Sequence, residues 1–220
     1  MIRAVGLELR AAAPDPAERL GVGEGWAVRP ARADEAQALH ELAAATFPLA
    51  CPPHTTPDAI RAFIDEHLSV AAFERYLADP DREILVFPGH LRIRAGHRRA
   101  ALRAFAPDDL EPLLGYTMLV HGEPGDEDVR RVVTARPATE LSKCYVRAEA
   151  HGGGTAHVLM TASIGAARAR GARVIWLGVN NENERAQRFY GKHGFERIGE
   201  KRFKVGDRYE HDDVLARALA

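Results

Sequence analysis

The chain has 220 residues, 46% hydrophobic and 28% charged, with a formal net charge of −1, the balance of an ordinary globular domain. No apolar run approaches the roughly 18 residues of a membrane helix, and the near-zero charge gives no global attraction to nucleic acid or anionic lipid. Cys51 and Cys144 stand in unrelated segments without CxxC or HxxxH companions, against both a disulfide framework and a metal site.

Residues 1–25, rich in Ala, Pro and Gly, read as an extension or linker, and residues 26–220 as one domain. Arg3, Glu8, Arg10, Asp15 and Glu18 interrupt any signal-peptide core, which predicts a cytoplasmic protein. Gly21-x-Gly23 precedes the strand-like run Trp26 to Ala31, whereas a dinucleotide loop must follow a strand. A helix is expected from Asp34 to Ala45, with Ala36, Leu39, Leu42 and Ala43 on one face. A Pro-rich turn leads to a second amphipathic helix through Ile60, Phe63, Ile64 and Leu68, then to a short third one stopped at Pro80.

Strand-like runs follow at Glu83 to Phe87 and Leu113 to His121, separated by an insertion at 88–106 that carries Arg92, Arg94, Arg98, Arg99 and Arg103 and no acid. That segment reads as a solvated loop or hairpin, or as a phosphate-binding patch. With Phe105 as its one aromatic it lacks the stacking platform of a nucleic-acid site. A turn-rich stretch, Gly122 to Pro137, precedes a strand at Glu140 to Arg147. Three glycines then open a helix with an apolar stripe at Val158, Leu159, Ala162 and Ala166, ending at Gly171. Arg173 to Val179 is the near-continuous apolar run of a strand buried on both faces. Asn183 caps a further helix closed by Gly194, and two terminal strands, Phe195 to Val205 and Tyr209 to Leu215, flank the turn Gly206-Asp207. This order predicts an α/β (α+β) fold, a mixed sheet with helices on both faces.

The turn His151-Gly152-Gly153-Gly154 reads as an anion cradle, because glycines at a strand-to-helix turn let backbone N–H groups face a phosphate. It is not a lipase-type HGGG oxyanion loop, since Ser69, Ser142 and Ser163 lie outside any G-x-S-x-G elbow. Nor is it a nucleotide P-loop, since Thr155-Ala156 follows where Lys-Ser/Thr is needed. His151-Gly152-Gly153-Gly154-Thr155-Ala156 resembles the Arg/Gln-x-x-Gly-x-Gly/Ala loop of the GNAT N-acetyltransferase superfamily, with His151 departing from Arg or Gln. Leu177-Gly-Val179, Asn183-x-x-Ala186-x-x-Phe189-Tyr190 and Gly194-Phe195 are similar to that superfamily's second block, and Trp26 to Asp34 to its first strand and turn. A narrower resemblance, to PaiA-type bacterial polyamine N-acetyltransferases, rests on Thr46-Phe47, Thr55-Thr-Pro-Asp58, Leu77-x-x-Pro80, Trp176-Leu-Gly-Val179 and Phe203-Lys-Val-Gly-Asp207 with Asp212.

The resemblance implies a GNAT fold with a sheet of six to seven strands and an acetyl-CoA-dependent transferase that needs no metal. Its cosubstrate would lie where the strands at Cys144–Val146 and Val174–Val179 splay apart. Backbone of Cys144, Tyr145 and Val146 would pair with the pantetheine, and the N–H groups of Gly152 to Ala156 would hold the pyrophosphate. Asn183 is either a cofactor contact or simply a helix cap.

An acceptor amine with pKa near about 10.4 must lose a proton before it attacks. Glu140 is the candidate base, or else a strand-end ion pair. Strict alternation places it on one face with Ser142, Cys144 and Val146. Tyr190 matches the family's general acid, set against plain core packing. The acceptor is expected to be a small primary amine, a polyamine first, with Asp65, Glu66, Glu74, Asp207, Glu210, Asp212 and Asp213 as acids that would complement one. The alternatives are an amino acid, an amine-bearing antibiotic, a protein or peptide amine (a lysine or an N-terminus), or a non-catalytic acyl-CoA-binding module. A homodimer is left open.

Overall fold

A computed structural model describes residues 28–89, 112–205 and 208–219. The extension at 1–25, Trp26, the arginines of the 88–106 insertion and the turn Gly206-Asp207 lie outside the described residues. Side chains cap four of the described α-helices where they begin, Asn183 among them as expected, whereas the helices Ala36–Thr46 and Thr155–Ala169 start without one. Helix α1 (Ala36–Thr46) follows a 3-10 turn. Thr56 accepts a hydrogen bond from the Ala59 N–H to start α2 (Pro57–His67), and Ser69 accepts one from Ala72 to start α3 (Val70–Ala78). Asp126 caps a short helix, α4 (Glu127–Val132), inside the stretch read as turn-rich. Helix α5 (Thr155–Ala169) follows the glycines, and Asn183 caps α6 (Glu184–Lys192) by accepting from the Ala186 N–H.

The strands are β1 (Arg29–Pro30), β2 (Arg82–Pro88), β3 (Leu113–His121), β4 (Ala138–Val146), β5 (Val174–Asn180), β6 (Glu196–Val205) and β7 (Arg208–Ala218). They form one mixed sheet in the order β1-β2-β3-β4-β5-β7-β6. Every neighbouring pair is antiparallel except β4 and β5, which are joined through α5 and run parallel. Of the run Trp26 to Ala31, the described residues Arg29 and Pro30 pair with Val86 and Leu85.

Each sheet face buries its own core. Leu39, Leu42, Phe73, Val86, Tyr116 and Met118 are buried on the face covered by α1 to α3. Leu119, Leu141, Met160, Ile164, Ile175 and Leu177 pack on the other face, under α5 and α6. Alternate residues of β5 serve opposite faces. Ile175 and Leu177 join the second core, while Val174 and Trp176 pack with Val129 of α4, as a strand covered on both sides requires. Where α5 meets β3, the hydroxyls of Ser163 and Thr117 bond each other at 2.8 Å, and Ser163 also donates to the Leu159 carbonyl. That buried polar pair is satisfied at little cost.

Two irregularities shape the middle of the sheet. Strands β4 and β5 pair at only three positions, Ala138 with Val174, Thr139 with Ile175 and Glu140 with Trp176, and then part. Strand β4 also carries a bulge. Met118 lies opposite Lys143 and Leu119 opposite Leu141, so Ser142 is an extra residue in the ladder.

Candidate functional site

Beyond the last β4–β5 pair the two strands leave a gap, and a cavity of about 290 Å³ fills it. Glu140 to Tyr145 line it from β4, Gly178 to Asn180 from β5, Asn183 and Tyr190 from the α6 region, and Lys201 and Asp212 from β6 and β7. Phe47 and Phe63 close one side, their rings stacked at 4.4 Å and 9°. The inner half of β4 keeps its hydrogen bonds to β3, with Thr117 opposite Cys144, Tyr116 opposite Tyr145 and Gly115 opposite Val146. On its other edge the polar backbone is free of β5 and available to an extended ligand.

The glycine turn follows the end of β4. Gly152 has φ +77° and Gly154, the residue before α5, φ +88°, a region L-residues adopt with strain. A Cβ at either would meet nothing within 4 Å, so the backbone angle, not crowding, calls for glycine. Within the helix the N–H groups of Thr155, Ala156 and His157 have no acceptor, because the first bond of α5 runs from Val158 to the Gly154 carbonyl. These donors and the helix dipole suit a phosphate. The His151 Nε2–H donates to the Val146 carbonyl at 2.9 Å, so this ring ties the loop to the end of β4. It stands where an arginine or glutamine was expected.

The bulge decides which side chains share a face. Leu141 and Cys144 pack into the core under α5 and α6, and Val146 packs with Leu159 of α5. Tyr145 packs into the core under α1 to α3, and the Lys143 ammonium lies 5.6 Å from the Tyr76 ring of α3. The alternation expected to place Glu140 with Cys144 and Val146 is therefore wrong. The extra residue reverses it, and Glu140 shares its face with Lys143 and Tyr145.

Burial raises the Glu140 carboxyl above its ordinary 4.5, against the pull of Lys201, Lys143 and Arg82. Burial lowers Lys143 from 10.5 to about 8, with Glu140 opposing and Arg82 and Lys201 reinforcing. Lys201 and Asp212 face each other across β6 and β7. A Cβ on Gly178 would lie 2.9 Å from the Lys201 Nζ and 3.2 Å from an Asp212 carboxylate oxygen, so both charged tips converge on that glycine.

On the opposite wall, Tyr190 is half-buried between Phe189 and Phe195, with ring centroids at 5.4 and 5.9 Å. Burial raises its phenol well above 10, Cys144 and Tyr145 adding to the shift. It is a neutral hydroxyl donor at any physiological pH. Burial likewise pushes the Cys144 thiol up to about 12, too high for a thiolate nucleophile. Among the described residues no three His, Cys, Asp or Glu converge as metal ligands.

A model of the acetyltransferase (GNAT) family matches residues 61–195. The chain belongs to that family. It is an acyltransferase, with acetyl-CoA as its cosubstrate. The sequence is 40% identical over 185 residues to an uncharacterized N-acetyltransferase of Mycobacterium tuberculosis, covering 84% of this chain and 98% of that one. Among solved structures, the fold is similar to a PaiA N-acetyltransferase of Thermoplasma acidophilum in complex with coenzyme A (TM-score 0.61, 17% identity, 88% and 98% of the two chains). It is also similar to a GCN5-related N-acetyltransferase of Rhodopseudomonas palustris (TM-score 0.59, 14% identity, 90% and 98%). The sheet of this GNAT chain, with its single parallel pair parting at the middle, is the architecture the motifs implied.

The fold brings Glu140, Cys144, Tyr145, Asn183 and Tyr190 to one cavity, with His151 to Ala156 following the end of β4. Asn183 is a helix cap and also lines the cavity. Of the acids offered to a polycation, Asp212 lines the cavity, while Asp213 is paired with Arg197 at 2.6 Å. Asp65, Glu66 and Glu74 are not among the cavity's lining residues, and Asp207 and the Glu210 side chain lie outside the described residues. Sequence reasoning missed Lys143, Lys201, Phe47 and Phe63 as lining residues. The available signal was that Lys143 and Lys201 are two of only four lysines.

Proposed function

We propose that this GNAT protein transfers the acetyl group of acetyl-CoA to the primary amine of a small molecule in the cytoplasm, by direct attack of the amine on the thioester. The observation that carries the reading is the parting of β4 and β5 after Glu140 and Trp176. Strand β4 lines a cavity with Glu140 and Tyr190 both on its walls and leads, after Val146, to an anion cradle at the start of α5. On this reading the diphosphate sits on the N–H groups of Gly152 to Ala156, with Asn183 beside the gap. The free edge of Cys144, Tyr145 and Val146 takes the pantetheine amides.

In the transfer, the amine nitrogen bonds to the acetyl carbon and the carbon–sulfur bond breaks. Glu140 takes the ammonium proton, directly or through water. A carboxylate whose pKa is raised by burial is a stronger base than an exposed one. The Tyr190 hydroxyl donates to the departing sulfur. With its own pKa above that of a thiol, it stabilises the thiolate by a strengthening hydrogen bond, not by full proton transfer.

Two ammonium groups and two carboxylates line the cavity, which is less suited to a polyamine than a net acidic site. Thiol release from acetyl-CoA across an amine panel tests the reading. Amine-dependent release supports it, and cofactor binding without release for any amine points to a non-catalytic binding module.

A further inference from the structure

The ionic groups of the cavity do not balance once an acceptor enters. Lys201 and Asp212 converge over Gly178 and offset each other. Glu140, on the proposed catalytic reading, is the group that meets the amine. Lys143 is left over. Among the described residues no carboxylate lies within 4 Å of its ammonium and no hydrogen bond is made to it, while its one close aromatic neighbour, Tyr76, is shared with the Arg82 guanidinium at 4.7 Å.

The bulge at Ser142 places Lys143 here. Without it, Lys143 would take the place of Cys144 on the face under α5 and α6. A half-buried ammonium that shares the Tyr76 ring with the Arg82 guanidinium, and has the Glu140 charge nearby but no carboxylate within ion-pair distance, is a costly arrangement. Burial and Arg82 both push its proton off, down to about 8. Such an arrangement is relieved when a ligand brings the missing charge.

We infer that Lys143 binds a carboxylate of the acceptor, so that this enzyme acetylates amines that also carry an acid, amino-acid-like zwitterions, in preference to polyamines. The inference rests on the proposed transferase reading. Glu140 and Lys143 then face the two ends of one zwitterion, the ammonium toward the carboxylate that deprotonates it and the acid toward the lysine. Phe47 and Phe63 give the apolar wall against which the acceptor's carbon skeleton packs.

The test uses the full chain and amines in matched pairs with and without a carboxylate, such as lysine with cadaverine and phenylalanine with phenethylamine. In the wild type kcat/KM favours the carboxylated member of a pair. In Lys143→Met that preference collapses by about 10- to 150-fold, the range of a lost hydrogen bond to a charged group, and Lys143→Arg retains most of it. A wild-type preference for the diamines, or for a peptide N-terminus over free amino acids, overturns the inference. So does a variant in which both members of every pair lose activity equally.

Binding of the N-acetylated amino acid by calorimetry reads the same contact without turnover. Loss of that binding in Lys143→Met sustains the inference even if no amine is acetylated, an outcome that sinks the transferase reading instead. Equal binding by wild type and variant overturns the inference whatever the turnover.

Discussion

Replacing Lys143 with methionine should make the protein more stable at neutral pH. The ammonium titrates at 10.5 when unperturbed and at about 8 in the fold, a difference that corresponds to about 3 kcal/mol withheld from the folded state while the lysine is charged. Part of that is given back when the residue is removed, because Lys143 also favours the ionised form of Glu140. A net gain of about 1–2 kcal/mol remains, or roughly 2–8 °C in Tm for a domain of this size.

The sign with pH follows from proton binding. Between about 8 and 10.5 the unfolded chain holds a proton on Lys143 that the folded chain has lost, so wild-type stability rises with pH across that window. The advantage of Lys143→Met should be complete below about 8 and vanish above 10.5. Urea or thermal unfolding of both proteins at pH 7 and at about pH 10.5 measures it. A variant less stable than wild type at pH 7, or a stability difference that does not narrow with pH, would refute the claim that the fold disfavours the charge on this ammonium.

Tyr190→Phe should lower kcat by about 10- to 1,000-fold with little change in acetyl-CoA affinity by calorimetry; unchanged turnover removes the hydroxyl from the reaction. Because burial raises the Glu140 carboxyl, kcat/KM should climb with pH through a value above the ordinary 4.5 of a glutamate. Glu140→Gln should remove that limb and most of the rate, and a pH profile retained in the variant assigns it to another group. Gly154→Ala puts a Cβ on a residue at φ +88° with open space around it. The cost is conformational, about 1–2 kcal/mol; the free turn escapes it and binding must restore the glycine-like conformer, so acetyl-CoA affinity should fall by about 5- to 30-fold, and unaltered affinity would show that binding does not depend on that conformer.

The sheet and its helices were legible because their signals are local. Alternation and apolar runs marked β2 to β7, Asn183 is the cap it was expected to be, and the glycines at 152 and 154 sit at the positive φ their position suggested. Helix α4 was hidden because the glycines and prolines around it, Gly122, Pro124, Gly125 and Pro137, outweigh its six residues. The bulge was hidden for a different reason. Nothing in Leu141-Ser142-Lys143 announces an extra residue, which arises from how β3 pairs with β4, and period-2 counting then assigns Glu140 to the wrong company. The convergence of Lys201 and Asp212 on Gly178 likewise depends on the register between strands far apart in the chain.

The most direct test of the central claim is mass analysis of the products when the purified chain is incubated with acetyl-CoA and a panel of amino acids, diamines and peptides. The account predicts an amine heavier by one acetyl group, formed in step with free coenzyme A. Tight acetyl-CoA binding with no acetylated product from any class of amine would contradict it.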